Sequence, residues 1–188
     1  GGSGFGYEVA KQFSLALTQR RAGLVPFMFS DYMKPICERL SGIAIEIDVL
    51  CNGQLFTENM LFTHRGVSGP VILQISNYWR PGDEIRIDLL PNKDASKLLL
   101  EFKHKYGSSL LRTVLAKQLP KALVGELQCL WWQEHAELPL REFSDKQLIE
   151  IGEKVNQWVL KPSGTEGYRT AEVTLGGVDT NEISSKTM

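Results

Sequence analysis

Residues 43–64 read IAIEIDVLCNGQLFTENMLFTH, and this stretch decides the fold. Ile43, Ile45, Ile47 and Val49 fall on one face, with Glu46 and Asp48 on the other. That period of two marks a half-buried strand. Asn52-Gly53 is the dipeptide favoured in two-residue hairpin turns, so QLFTENMLFTH returns as the partner strand. Downstream, RPGDEIRIDLLP places a turn at Pro81-Gly82 before another alternating run, Ile85, Ile87 and Leu89. Upstream, LTQRRAGLVPFMFS reads as extended chain broken at Gly23 and Pro26, the proline removing a ladder donor. Pro35 limits DYMKPICERL to a short helical turn. A longer helix starts after GVSG, with Pro70 at its first position, and runs to about Trp79. Residues 14–90 therefore predict a small antiparallel sheet, curled into a barrel, with one inserted helix.

The character changes at Asp94. KLLLEFKHKYG, SSLLRTVLAKQL and PKALVGELQCLWW are helical runs punctuated by Gly107 and Pro120. Ser144-Asp-Lys-Gln147 is a capping-box pattern that opens a fourth helix, with Leu148, Ile151, Val155 and Trp158 on one face. The fold class is thus α+β: a small antiparallel barrel with an inserted helix, plus an all-helical subdomain. The expected organisation is an edge segment over 1–13, a barrel over 14–93 and 159–175, helices over 94–158, and a return segment over 176–188.

Composition excludes several function classes. The 188 residues carry 21 basic and 22 acidic side chains, so the net charge is close to zero. That balance predicts no nucleic-acid partner and no anionic membrane surface. No apolar run reaches the ~20 residues of a membrane span. The three cysteines and three histidines are scattered, which predicts a reduced, cytoplasmic setting and no metal site. Cys129, among apolar neighbours, is expected to be a small buried hydrophobe.

Three short motifs bear on chemistry. The opening GGSGFGYEVA is not a dinucleotide fingerprint: Tyr7 stands where a third glycine belongs, and no strand precedes it. It reads as a linker or as backbone passing close to something. In LFTHRGVSGP a strand leads through a glycine-bearing loop to a helix N-terminus, a geometry that suits an anion or polar ligand. Thr63, His64 and Ser68 would supply hydroxyl and imidazole contacts to such a ligand; equally, Ser68 or Gly69 caps the helix and His64 is structural. In AEVTLGGV, Gly176-Gly177 reads as a tight turn or as backbone lying against a flat ligand.

Together these segments carry a resemblance. GGSGFGYEVA resembles the turn and helix of the two-dinucleotide-binding flavoproteins, although Phe5 stands where many of them have Asp. RAGLVPF, LFTHRGVSGPVILQIS and AEVTLGGVDTNEISSKTM resemble, in order, motifs of the YhiN/BaiN-type family of NAD(P)/FAD-dependent oxidoreductases, with Ala22 and Gly23 as variants. The FTHxGxSGP pattern is the specific part.

The resemblance implies an insert, a translation-factor-like barrel plus helices, set between the halves of an FAD-binding domain. It implies that both FAD-domain halves lie outside this chain, so that the isolated region is without cofactor and inactive. In the full-length parent it implies flavin contacts at Gly4, Gly6, Gly176 and Gly177. It also implies His64 as a catalytic residue beside the substrate groups Thr63, Ser68 and Gly69. The implied partner is the parent's own FAD-binding domain. A different class of function, an interaction module without catalysis, would use Trp131-Trp132 as a contact between copies.

Overall fold

The computed structural model describes residues 3–184 and Lys186. Gly1 and Gly2 of the opening turn, and Ser185, Thr187 and Met188 of the return segment, lie outside them.

The hairpin forms as its alternation predicts. Strand β3 (Ala44–Cys51) pairs antiparallel with β4 (Gln54–Thr63), Cys51 opposite Gln54, with Asn52 and Gly53 both at positive φ in the turn. Ile47, Val49 and Cys51 are buried, as are Met60 and Phe62 on β4, with Met60 opposite Ile45. A two-residue turn leads from β4 into β5 (Gly66–Ser68). Helix α3 (Pro70–Ser76) follows, and Val71, Ile72 and Ile75 fill the interior.

Five further pieces complete the sheet. They are β2 (Phe27–Met28), β6 (Ile85–Asp88), β7 (Trp158–Leu160), β8 (Gly164–Thr165), and helix α2 (Met33–Leu40) packed on β4 and β5. Strand order is β7-β6-β3-β4-β5-β2-β8, antiparallel throughout. The two end strands, β7 and β8, are joined by only Lys161–Ser163. A flat sheet of this order would separate them by about 29 Å, whereas the linker spans at most about 14 Å. The sheet therefore curls until its edges meet, which is the barrel.

The helical unit is α4 (Ala95–Lys105), α5 (Leu111–Leu115), α6 (Lys121–Trp131) and α7 (Asp145–Asn156). Asp94 caps α4 through the Lys97 amide at 3.0 Å. Ser144 and Gln147 form the expected reciprocal box on α7. The barrel and helical interiors form one continuous apolar cluster.

Three expectations need correction. The barrel is narrower than 14–93 and 159–175: β1 (Arg21–Gly23) and β9 (Val173–Leu175) pair only with each other, as a separate ribbon. Leu24 at positive φ and Pro26 without an N–H break the strand between β1 and β2. Trp158 opens β7 opposite Ile87 and does not continue α7. Finally, α2 runs for eight residues despite Pro35, which sits in the first turn where no amide donor is needed.

Candidate functional site

The two ends of the chain run together outside the barrel. From β1 and β9 the pairing continues: Leu17 bridges Val178, Thr18 N donates to Gly177 O at 2.7 Å, and Asp179 N donates to Ala16 O at 2.8 Å. Thr18 Oγ1 accepts from Gly177 N at 3.0 Å. Gly176 has φ +83°, and a Cβ there would press on the Gln19 carbonyl group, 3.0 Å from its carbon. Only glycine suits both demands. The Gly176-Gly177 turn therefore lies against Thr18 and Gln19.

Helix α1 (Phe5–Gln12) precedes the ribbon and touches it through Tyr7. Gly4 is its N-cap and Gly6 sits in its first turn; both are exposed, with open space where a Cβ would stand. Arg20 lays its guanidinium 4.3 Å from the centre of the Tyr7 ring. Tyr7, Leu17, Thr18, Arg20, Tyr168 and Thr174 line an open cleft of about 610 Å³, within the ~300–1,000 Å³ of ligand sites. Tyr7 of α1 and the Thr18–Gln19 segment against which Gly176 lies thus line the same cleft.

The ribbon is fastened to the barrel by Arg21. Its guanidinium donates to the Ser76, Asn77 and Trp79 carbonyls at the C-terminal end of α3. A cation there satisfies orphan acceptors and complements the helix dipole. Burial, and then the nearby Arg80 charge, lower the Arg21 pKa. Asn77 Oδ1 and Ser76 Oγ accept from Leu24 N and Val25 N at 2.9 and 3.1 Å.

The Thr63–Pro70 motif is divided by the fold. His64 and Arg65 form the tip of the β4–β5 hairpin, with His64 exposed. Thr63 Oγ1 is engaged within the turn, accepting from Gly66 N at 3.2 Å. Ser68 and Gly69 lie at the other end of β5, about 7 Å further along. Gly69 has φ +92°, and a Cβ there would stand 2.6 Å from Asn59 O. Thr63 and Gly69 therefore serve the backbone, and the structure does not gather the four residues around one ligand. The expected helix terminus is weak too, because α3 has seven residues and Gly69 O accepts from both Ile72 N and Leu73 N.

The remaining candidates fall as follows. Trp132 is buried and the half-buried Trp131 packs edge-on against Trp158 at 5.7 Å, the pair lining an open groove of about 190 Å³ with His135, Phe143 and Gln147. Cys129, expected inside, is exposed on the outer side of α6. Cys37 is buried, and desolvation, with Asp31 and Glu38 nearby, pushes its thiol up to about 12. Among the described residues no cluster has metal-ligand composition, and no helix is long and apolar enough to cross a membrane. Sequence reasoning missed Tyr7, Arg20, Tyr168 and Thr174. They converge only through the β1–β9 pairing, for which no local signal exists.

Residues 21–173 match the family model described as HI0933-like protein barrel and H2TH domain. Along its whole length the chain is 47% identical to the ribosomal RNA dihydrouridine synthase of Escherichia coli (strain K12), covering 47% of that protein. It is 42% identical to the protein of the same name from Haemophilus influenzae, covering 46% of it. It is 26% identical to the 3-dehydro-bile acid delta(4,6)-reductase of Clostridium scindens, covering 48% of it. The chain spans about half the length of each of these relatives.

Proposed function

Because this chain belongs to the HI0933-like barrel and H2TH family, we propose that it is the barrel-and-helix portion of a cytoplasmic, flavin-dependent oxidoreductase of the YhiN/BaiN type that reduces uridine in ribosomal RNA. The observation that carries this reading is identity of 47% and 42% over the entire chain with two proteins named for that activity, against 26% with the bile acid reductase. It replaces the expectation of no nucleic-acid partner, which rested on net charge averaged over the whole chain.

The residues present suit one edge of a flavin site. Gly176 and Gly177 lie against Thr18 and Gln19, which line an open cleft carrying Arg20, and Gly4 and Gly6 begin the helix whose Tyr7 lines the same cleft. Among the described residues there is no glycine-rich strand–turn–helix to cradle a pyrophosphate, so the rest of the parent holds most of the cofactor. Five of the large apolar side chains left exposed, Phe5, Phe13, Tyr168, Val173 and Ile183, belong to the terminal segments. They form the surface on which the parent's FAD-binding domain docks.

Reduction of uridine adds two electrons and two protons across the C5–C6 double bond. A flavin, when bound in the parent, would supply the hydride for one carbon, with a nicotinamide as the source of the electrons. His64 delivers the proton to the other: its imidazole is exposed at a hairpin tip held by Thr63, and water reprotonates it. The cleft residues Tyr7, Arg20 and Tyr168 orient the base.

The test uses the purified full-length parent with ribosomal RNA lacking dihydrouridine, plus NADH or NADPH. Retained FAD and a two-hydrogen mass gain in one uridine are expected. FAD retention with reduction of a steroid dienone and no change in RNA would transfer the chain to the reductase reading; absence of FAD would reject both.

A further inference from the structure

The formal net charge of −1 conceals a segregated surface. Between Lys93 and Pro120, across α4 and α5, stand six lysine or arginine side chains and two acids. Between Lys121 and Asn156, across α6 and α7, stand seven acids and four basic residues. The helical unit is therefore basic on one pair of helices and acidic on the other. Lys103 and Arg112 bridge the halves, pairing with Asp145 and Glu137 at 2.6 and 2.5 Å.

The other cations of the basic pair are differently placed. Among the described residues, Lys93, Lys105, Lys117 and Lys121 form no ion pair, and all four are exposed. Lys117 Nζ lies 3.9 Å from the centre of the Tyr106 ring, and Lys105 Nζ lies 5.3 Å from it. Lys93 Nζ donates to Gln118 Oε1 at 2.7 Å, next to Lys117 in the chain. Tyr106 and Gln118 thus hold three ammonium groups, Lys105 at the end of α4, Lys93 just before α4 and Lys117 just after α5. Like charges gathered without ion-pair partners repel each other, and a folded protein tolerates that arrangement readily when a polyanion neutralises it. Lys121 extends the band to the α5–α6 cleft, which it lines with Arg112.

We propose that Lys93, Lys105 and Lys117, ordered by Tyr106 and Gln118, form the surface by which this protein grips the phosphate backbone of its RNA substrate. The proposal rests on the RNA-reductase reading above and adds to it a location. Gripping at this surface positions the RNA without reading its sequence, since lysine–phosphate contacts carry no base information. Specificity for one uridine then comes from elsewhere in the parent.

The test compares this chain with its K93Q/K105Q/K117Q variant and with a K34Q/K146Q/K161Q control of equal charge loss. Binding of a fluorescein-labelled RNA hairpin is followed by anisotropy against salt. The variant is expected to bind at least tenfold more weakly and to lose about one unit of log–log salt slope per lysine. The control should match the wild type in slope, and all three proteins should have the same circular dichroism spectrum. Equal losses in variant and control would overturn the proposal. So would lysine-dependent binding to phosphatidylserine vesicles with none to RNA. Dihydrouridine formation by the full-length parent carrying the same three substitutions separates the two claims. A raised KM for RNA with kcat retained supports the surface; an unchanged KM in an active parent removes the surface alone; no dihydrouridine from the wild-type parent removes the activity itself.

Discussion

Asn156, the last residue of α7, donates its side-chain amide to Asp88 Oδ1 at 2.8 Å, at the end of strand β6. The same amide donates to Lys93 O at 2.9 Å, and its oxygen accepts from Ala95 N at 2.7 Å. One side chain thus satisfies the end of a strand, the start of α4 and the end of α7, where barrel and helices join. Replacing Asn156 with Ala leaves these partners unmade, at a cost of about 1–3 kcal/mol. Thermal unfolding should show a Tm lower by about 2–12 °C. An unchanged Tm would mean that the joint is held by apolar packing alone.

Helices α4 and α7 cross at Gly152, where a Cβ would stand 2.5 Å from Ser96 Cα and strike backbone. Gly152→Ala should destabilise by about 1–3 kcal/mol through forced separation of the helices. Gly125→Ala makes the opposite case, since this exposed glycine in α6 has open space around its missing Cβ. Alanine there should stabilise by about 0.5–1 kcal/mol. Urea denaturation of both variants checks the pair of signs.

Gly176 carries both a positive φ and the close approach of Gln19. Gly176→Ala should loosen the paired ends while the barrel persists. Limited trypsin digestion should then cleave after Arg20 or Arg21 well before the core is lost. An unaltered digestion pattern would show that the terminal pairing does not depend on this turn.

Thiol reactivity reports the cysteine environments. Cys37 and Cys51 are buried, with pKa values raised chiefly by desolvation, and Cys37 is pushed to about 12. Cys129 is exposed. Native protein at pH 8 should therefore release one equivalent of a chromogenic disulfide reagent rapidly and the other two only after denaturation. Rapid release of two or three would contradict the burial.

The barrel and the helices were legible where short-range physics governs. Alternation across Ile45–Val49, Asn52-Gly53 and the Ser144–Gln147 box each act within a few residues, and each forms as read. What escaped depends on distant pairing. Trp158 fits the helical period of α7, yet its backbone finds Ile87 of β6. Strands β2 and β8 have two residues apiece, too few to carry a pattern. Gly66 reads as a loop glycine but lies in a strand, where a Cβ would collide with the Phe27 carbonyl. For that reason the FTHRGVSGP motif is a hairpin followed by a helix, with His64 at one end and Ser68 at the other. Net charge hides the segregation of charge because it sums over two oppositely charged halves of one helical unit.

The most direct measurement is the dihydrouridine content of ribosomal RNA from cells that lack the parent gene. The account predicts that the modified base disappears from one site and returns when the intact gene is supplied. A His64→Ala gene, whose product should fold normally because the side chain is exposed, should restore it at a rate lower by about 10²–10⁴-fold. Unaltered dihydrouridine in the deletion strain would contradict the function proposed for this chain, and full restoration by His64→Ala would contradict the proton-donor role.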